Sequence, residues 1–449
     1  MPPRQAWAAV PAANSHGQPA YEAYTARSLD RIPQLRGQTD ERLLAMRAVA
    51  AVLPFRTNSY VVNELIDWDD LEHDPIYRLT FPSPDMLRPD ELARMVKLLR
   101  DDALPAVIAA EARDIRRRLN PHPAGQLTLN VPEVEGHLLG GIQHKYHETV
   151  LFFPAPGQIC HAYCTYCFRW AQFVGEPDLK LSCNDPEVLT GYLRRHPEVT
   201  DVLITGGDPM VMRTDVLARF VTPLLAIDSV RTVRIGTKAV AYWPFRFLND
   251  PDADDVSRLF ERVVSSGRQL AVMAHYSHPR ELAPEPAREA VRRIRATGAS
   301  VYVQAPLIRG INDRPELWTE LWRTALDLGA VPYYMFVERD TGPREYFEVP
   351  LAECLSIFRA AYSRISGLGR TVRGPVMSAT PGKVAVDGIT EIGGTDVFQL
   401  HYLQARNPEL VGRPFFAEFD AGATWFDQLV PAFDSHRRFF DPTGQPIVR

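Results

Sequence analysis

Three cysteines, Cys160, Cys164 and Cys167, fall in one short run, Cys-His-Ala-Tyr-Cys-Thr-Tyr-Cys. Thiolates are the usual ligands of iron–sulfur clusters, and a closed [4Fe–4S] cluster takes four of them. A loop this tight can bring three thiolates to one inorganic centre, leaving one iron open to a chelate from outside. Structural zinc suits the run less well: it asks for four closed ligands, and His161 adjoins Cys160 at a poor spacing for the fourth. Cys183 and Cys354 stand apart and read as buried thiols. An odd total of five, three of them together, is unlike a secreted disulfide framework. A reducing, cytoplasmic setting with one metal site is expected.

The elements that must position this loop alternate. Between residues 145 and 365, short β-rich runs (Thr149–Phe153, Asp201–Thr205, Thr232–Gly236, Leu270–His275, Ser300–Ala305, Pro332–Val337) take turns with amphipathic stretches. Those stretches are Pro186–Arg195, Thr214–Leu225, Ala253–Ser266, Glu285–Thr297, Glu316–Leu328 and Leu351–Ile365. Such alternation argues for parallel strands with crossover helices. Six units are too few for a closed eightfold barrel, so the expected fold is α/β, a partial (β/α)6 TIM-like barrel open on one side. In barrels of this kind chemistry sits at the C-terminal ends of the strands. Residues 1–144 read as a helical N-terminal extension, with helices over Asp40–Leu53, Pro89–Arg100 and Leu104–Leu119 started by Asp40 and Asp90, and a loop-rich Gln18–Gln38. Residues 366–449, rich in Gly, Pro and aromatics, read as a C-terminal extension wrapped onto the body.

Composition narrows the function classes. The chain has 449 residues and a net charge of −5, so no global basic field points to nucleic acid. Its apolar runs are too short to span a bilayer, and Met1-Pro2-Pro3-Arg4-Gln5 shows no secretion pattern. A small-molecule substrate is expected.

The Cys-x-x-x-Cys-x-aromatic-Cys run after a strand resembles the signature of the radical S-adenosylmethionine (SAM) superfamily. That resemblance implies that the amino and carboxylate groups of SAM fill the open iron. An electron from the cluster then breaks a carbon–sulfur bond to give methionine and a 5′-deoxyadenosyl radical. Tyr166 takes the aromatic position and resembles an adenine contact. Gly206, Gly207 and Asp208, at the end of the second strand, resemble the element that binds the SAM ammonium; two glycines let backbone approach a ligand closely. Lys238, after the third strand, is a candidate for the SAM carboxylate, and His275, ending the fourth, for the adenosine pocket. Trp170 and Phe173 stand where they would shield the cluster.

Within the superfamily the chain resembles the lysine 2,3-aminomutase-like family. The resemblance runs through Cys160–Arg169, Ile204–Met210, Arg234–Lys238, Ala274–Pro279, Gln304–Asp313, Pro332–Phe336 and Pro381-Gly382-Lys383. It implies that Arg169 binds the substrate carboxylate, Asp313 the substrate's distal ammonium, and Lys383 pyridoxal phosphate (PLP). There are departures. The loop before the lysine reads Met377-Ser378-Ala379-Thr380-Pro381-Gly382, without the family's acid and glycine run. Thr149 stands where the family has a phosphate-binding arginine, and no cysteine follows Cys354 for the family's zinc site. These differences argue against L-lysine as substrate and leave PLP open. Two enzymatic readings follow: a 1,2-amino shift on another small amine, or a PLP-independent dehydration of a vicinal diol or amino alcohol such as an aminosugar. Glu338, Tyr334 and Asp313 are the candidate acid–base groups, with Tyr333, Arg339 and Asp340 nearby. For Arg339 and Asp340 a solvated charge cluster is the plainer reading. A non-catalytic iron–sulfur protein is the alternative from another class. With no second redox motif, an external flavodoxin- or ferredoxin-type donor is expected, and the helical N-terminal region is a candidate homo-oligomer contact.

Overall fold

The computed structural model describes residues 20–120 and 130–441, so Met1–Gln5 lies outside the described residues. The N-terminal extension opens with β1 (Ala23–Thr25), paired antiparallel with β2 (Arg56–Asn58). The extension continues through α1 (Asp40–Val52), α2 (Pro75–Thr80), α3 (Pro89–Arg100) and α4 (Pro105–Leu119), with α1, α3 and α4 packed on one another. The expected helix starts shift by a residue or two. Thr39 caps α1, accepting the Arg42 N–H at 3.3 Å, and Asp40 and Asp90 fall in the first turns, where a carboxylate faces the positive helix end. A two-residue hairpin, β3 (Glu133–Val134) with β4 (His137–Leu138), leads into the core.

The core is one eleven-stranded sheet that runs in sequence order from β5 to β15. β5 (Ile142–Tyr146) lies antiparallel to β6 (Thr149–Phe152). From there β7 (Asp201–Ile204), β8 (Thr232–Thr237), β9 (Gln269–His275), β10 (Ser300–Leu307) and β11 (Val331–Val337) follow in parallel. Helices Pro186–Arg195, Ala253–Ser265, Glu285–Ala296, Pro315–Asp327 and Leu351–Tyr362 lie in the connections as expected. The helix from Thr214 stops at Val221, because Pro223 has no N–H to continue it and a tighter turn takes over. Period-2 patterning sorts the side chains. Along β8, Val233 and Ile235 are buried against the helices, while Arg234 is half-buried on the barrel's inner face. The architecture is the partial (β/α) barrel anticipated from the sequence, flanked by both extensions.

The C-terminal segment joins the sheet. β12 (Arg373–Ser378) adds a seventh parallel strand beside β11, and β13 (Gly382–Ile392), β14 (Thr395–Ala405) and β15 (Pro414–Glu418) continue antiparallel. Phe398, Tyr402, Phe415, Phe426 and Phe439 form a second apolar core with Leu351 and Leu355. The sheet curls until β14 meets β5, where Arg406 donates to Asn130 and Lys145 to the Ala379 carbonyl. Cys354 is buried as expected; Cys183 is half-buried, its thiol donating to the Asp185 carbonyl at 3.5 Å. Among the described residues no helix is long and apolar enough to cross a membrane.

Candidate active site at the strand ends

The cysteine loop leaves β6 and is held by the N-terminal extension. The Tyr163 N–H donates to the Arg56 carbonyl at 2.8 Å, and the Thr165 N–H to the Leu79 carbonyl at 2.9 Å. Buried Asn58 donates to the carbonyls of His161 (3.1 Å) and Tyr242 (3.0 Å), tying the loop to the end of the β8 unit. Phe173 stacks on Tyr163 with centroids 4.8 Å apart, and Trp170 is buried with its Nε1 donating to Thr341 at 3.1 Å, in keeping with shielding. Cys160, Cys164 and Cys167 are all free thiols. Burial raises each of them, Cys167 to about 12. Among the described residues no three His, Cys, Asp or Glu side chains are gathered into a set that could hold a metal ion. A cubane makes a different demand. Each thiolate takes its own iron, so the three stand further apart than the ligands of one ion. Three unbridged thiols on one anchored loop are the donor set such a cluster needs, and ligation deprotonates a thiol whatever its buried pKa.

The Gly206-Gly207-Asp208 turn clamps this loop from beneath. Gly206 has φ +149°, and a side chain there would strike Gln158. A Cβ on Gly207 would meet the Ile159 backbone at 2.5–2.7 Å. The glycines thus let the turn dock on the residues just before Cys160. The Asp208 N–H donates to the Gly157 and Ile159 carbonyls at 3.0 and 2.8 Å. The Asp208 carboxylate accepts from Met210 N, Thr237 Oγ1, Lys238 N and Ala239 N at 2.7–3.0 Å. Its capacity is spent within the protein, so it positions the turn, and the carbonyls of the turn are what remain for an ammonium. Gly207→Ala is expected to displace Ile159 and with it Cys160. Backbone contacts cannot yield cheaply, so overpacking costs about 1–3 kcal/mol. Reduced iron content after reconstitution, together with a lowered Tm, is the measurement.

Lys238 is likewise engaged. Its ammonium lies 2.7 Å from the fully buried Glu281 and 4.6 Å from the Tyr242 ring, and donates to the His275 carbonyl at 3.2 Å. Glu281 also accepts from Ser277 N and His278 N, at 2.5 and 3.0 Å. Tyr166 is buried, its hydroxyl within 2.9 Å of Ser277 Oγ and 3.2 Å of His275 Nδ1. Burial drives His275 well below its usual range, so its ring is neutral. Tyr166, Lys238 and His275 are therefore brought together around Ser277. Glu281, which completes the group, was not visible in the sequence because its partner lies one strand away. Glu281→Gln strands a buried ammonium and is expected to cost about 3 kcal/mol or more, read by urea unfolding.

Of the substrate candidates, Arg169 is buried, its Cζ 3.9 Å over the Phe153 ring and its Nη2 donating to Gln172 at 2.8 Å. Its Nε is buried without an acceptor among the described residues, and burial lowers its pKa to about 10. Glu338 is buried at the end of β11, near enough to Cys167 and Tyr166 to affect both; burial holds its carboxyl well above the usual range, hence neutral. Asp313 accepts the Gly310 N–H at 2.7 Å within its own turn, and no described contact joins it to Arg169 or Glu338.

Lys383 projects from β13 to the inner face of the barrel. Its ammonium nitrogen lies 4.8 Å from the Tyr334 ring and 5.5 Å from the Tyr146 ring. Among the described residues it forms no ion pair. Arg234, whose charge it feels, is itself paired to Asp201 at 2.8 Å. Burial, then Arg234 and Arg373, lower Lys383 to about 7. Lys145 of β5, a residue missed from the sequence, is enclosed nearby. Burial and the charges of Arg339, Arg406 and Lys383 push it well below the usual lysine range. A neutral primary amine beside a second enclosed lysine, whose lost proton a phosphate would restore, is a donor set that fits a phosphate-bearing aldehyde such as PLP.

No family model matches the chain. An Aquifex aeolicus protein named "Putative L-lysine 2,3-aminomutase" is 32% identical over 399 residues, 88% of this chain and 94% of that protein. Escherichia coli L-lysine 2,3-aminomutase is 27% identical over 52% of this chain and 65% of its own length. Clostridioides difficile glutamate 2,3-aminomutase is 25% identical over 63% of this chain and 61% of its own. The match thus spans less than two thirds of these last two relatives. Among solved structures, Streptococcus suis SuiB bound to the precursor peptide SuiA gives a TM-score of 0.36 at 13% identity over 60% of this chain and 56% of that one, too slight to carry weight. The sequence likeness defines a radical SAM enzyme. Within that superfamily, the chain belongs to the lysine 2,3-aminomutase-like family.

Proposed function

We propose that this enzyme shifts an amino group between neighbouring carbons of a small amino acid other than L-lysine, with PLP at Lys383. The observation that carries the reading is the state of Lys383: enclosed, without a counter-ion among the described residues, and lowered to about 7. An unpaired buried ammonium is costly, and a lysine kept neutral is a nucleophile toward an aldehyde. When bound, the cluster and SAM supply a 5′-deoxyadenosyl radical that removes a carbon-bound hydrogen, and PLP supplies a conjugated holder for the migrating amine. The chain's own residues do the rest. Lys145, short of its proton while enclosed among cations, regains it beside a phosphate and then supplies the positive charge that Thr149 cannot. Arg169 presents an unused guanidinium edge to a carboxylate. Glu338 holds its proton near the cluster end, and Tyr334 covers one side of the Lys383 amine. The dehydratase reading uses Glu338 equally well, protonating a departing hydroxyl, but leaves Lys383 without a task. Treatment with PLP and then borohydride should leave a reduced adduct on Lys383, found by mass spectrometry. No adduct, with full activity in Lys383→Ala, would sink the amino shift and leave the dehydratase.

A further inference from the structure

Arg339 follows β11 directly, beside Glu338. The sequence suggests a solvated charge, yet its guanidinium lies 5.3 Å over the Phe168 ring and 5.6 Å over the Trp425 ring. Its Nε is buried without an acceptor among the described residues. The neighbouring Asp340 stands off at 3.9 Å, too far for a hydrogen bond. Phe168 links Cys167 to Arg169, so the two arginines flank one residue beside the cysteine loop. Arg169 too has a buried Nε without an acceptor, and Lys145 feels the charge of Arg339. Arg169 is buried and Arg339 half-buried, and cations gathered there are costly unless a ligand brings further negative charge. In the reading above, the cofactor phosphate takes Lys145 and the substrate's first carboxylate takes Arg169, leaving Arg339 with only its long ion pair to Asp340. The acids that would suit a basic substrate are otherwise employed or absent. Asp313 turns one oxygen to Gly310 N within its own turn, with no described contact to Arg169, and Met377–Gly382 contains no carboxylate.

We propose that Arg339 is a specificity determinant and that the substrate is an acidic amino acid, its side-chain carboxylate on Arg339 and its α-carboxylate on Arg169. The chemistry performed rests on the function proposed above; the binding preference does not. The test uses the anaerobically reconstituted full chain with SAM and PLP. Binding of L-glutamate, L-aspartate, L-lysine and L-alanine is read by calorimetry, in wild type, Arg339→Gln and Arg339→Lys. The acidic amino acids should bind at least about tenfold tighter than L-alanine, and L-lysine no tighter than L-alanine. Arg339→Gln should erase that margin while keeping L-alanine binding, which shows the site still folded, and Arg339→Lys should restore part of it. L-Lysine binding as tightly as the acidic pair, or an unchanged margin in Arg339→Gln, overturns the proposal. The wild-type preference decides the matter even if a variant misfolds. Deuterium transfer from labelled L-glutamate or L-aspartate into 5′-deoxyadenosine separates the two readings. A preference that depends on Arg339, without any amino shift, sinks the function proposed above and spares this one. An amino shift on L-alanine, with no preference for the acidic pair, does the reverse.

Discussion

Replacing any one of Cys160, Cys164 and Cys167 by alanine is expected to lower 5′-deoxyadenosine release from reduced, oxygen-free protein by at least about a thousandfold, about 4 kcal/mol of transition-state stabilisation. The reasoning is coordination chemistry. Three thiolates leave one iron open for SAM; two leave a cluster that is under-ligated and easily lost. The effect should be chemical, because the loop does not depend on its sulfurs for its shape. Backbone bonds from Tyr163 and Thr165 to the N-terminal extension, and the Asn58 clasp on His161, survive each substitution. Circular dichroism should therefore be unchanged while iron and sulfide content fall. Cys354→Ala provides the contrast. That thiol is fully buried on the helix Leu351–Tyr362, with its hydrogen bond to the Val349 carbonyl, so its loss should cost stability and leave the iron content alone. A Cys164→Ala protein that keeps its full iron complement and its SAM cleavage would overturn the assignment of the trio.

The barrel was legible because each of its strands is a local statement. Runs such as Thr232–Thr237 and Ser300–Leu307 carry β-branched and apolar residues in short bursts, flanked by helix-period stretches, and their observed ends lie within two residues of those expected. β12 was hidden: Arg-Gly-Pro-Val-Met-Ser holds a glycine and a proline, which argue locally against a strand. Its place is fixed by pairing with β11, a tertiary fact. The cysteine run, the glycine turn and Lys383 could be read from spacing. What they do depends on partners that spacing cannot supply. Asp208 looked like a ligand for an ammonium and is saturated by the end of β8. Lys238 looked open and is paired with Glu281. Lys145 drew no notice in the sequence, and only the curl of the sheet sets it close enough to Lys383 to feel its charge. The role of the N-terminal extension as anchor for the cysteine loop was equally out of reach, since Asn58 and His161 lie 103 residues apart.

Lys383 makes a prediction in which stability and reactivity must agree. Burial lowers it from 10.5 to about 7, so between about pH 7 and pH 10.5 the unfolded chain holds a proton that the folded chain lacks. Stability should then rise with pH across that window and show no pH dependence from this group below it. The cost of enclosing the amine is fully present at and below pH 7, with a ceiling of about 5 kcal/mol. Lys383→Met removes that cost. The cofactor-free variant should be more stable than wild type by several kcal/mol at pH 7, and the gap should shrink as pH rises. Urea unfolding of both proteins from pH 7 to 9.5 measures the difference and cancels groups common to the two. Reactivity must follow the same titration, since the free amine is the form that attacks an aldehyde. Borohydride-trapped PLP on Lys383 should reach half its maximal rate near pH 7, where an ordinary lysine would still be almost wholly protonated. A stability gap that does not change with pH, or a trapping rate still climbing at pH 9.5, would mean that Lys383 is a normal, hydrated lysine. The case for a cofactor at that position would then be lost, while the cysteine loop and its chemistry would stand.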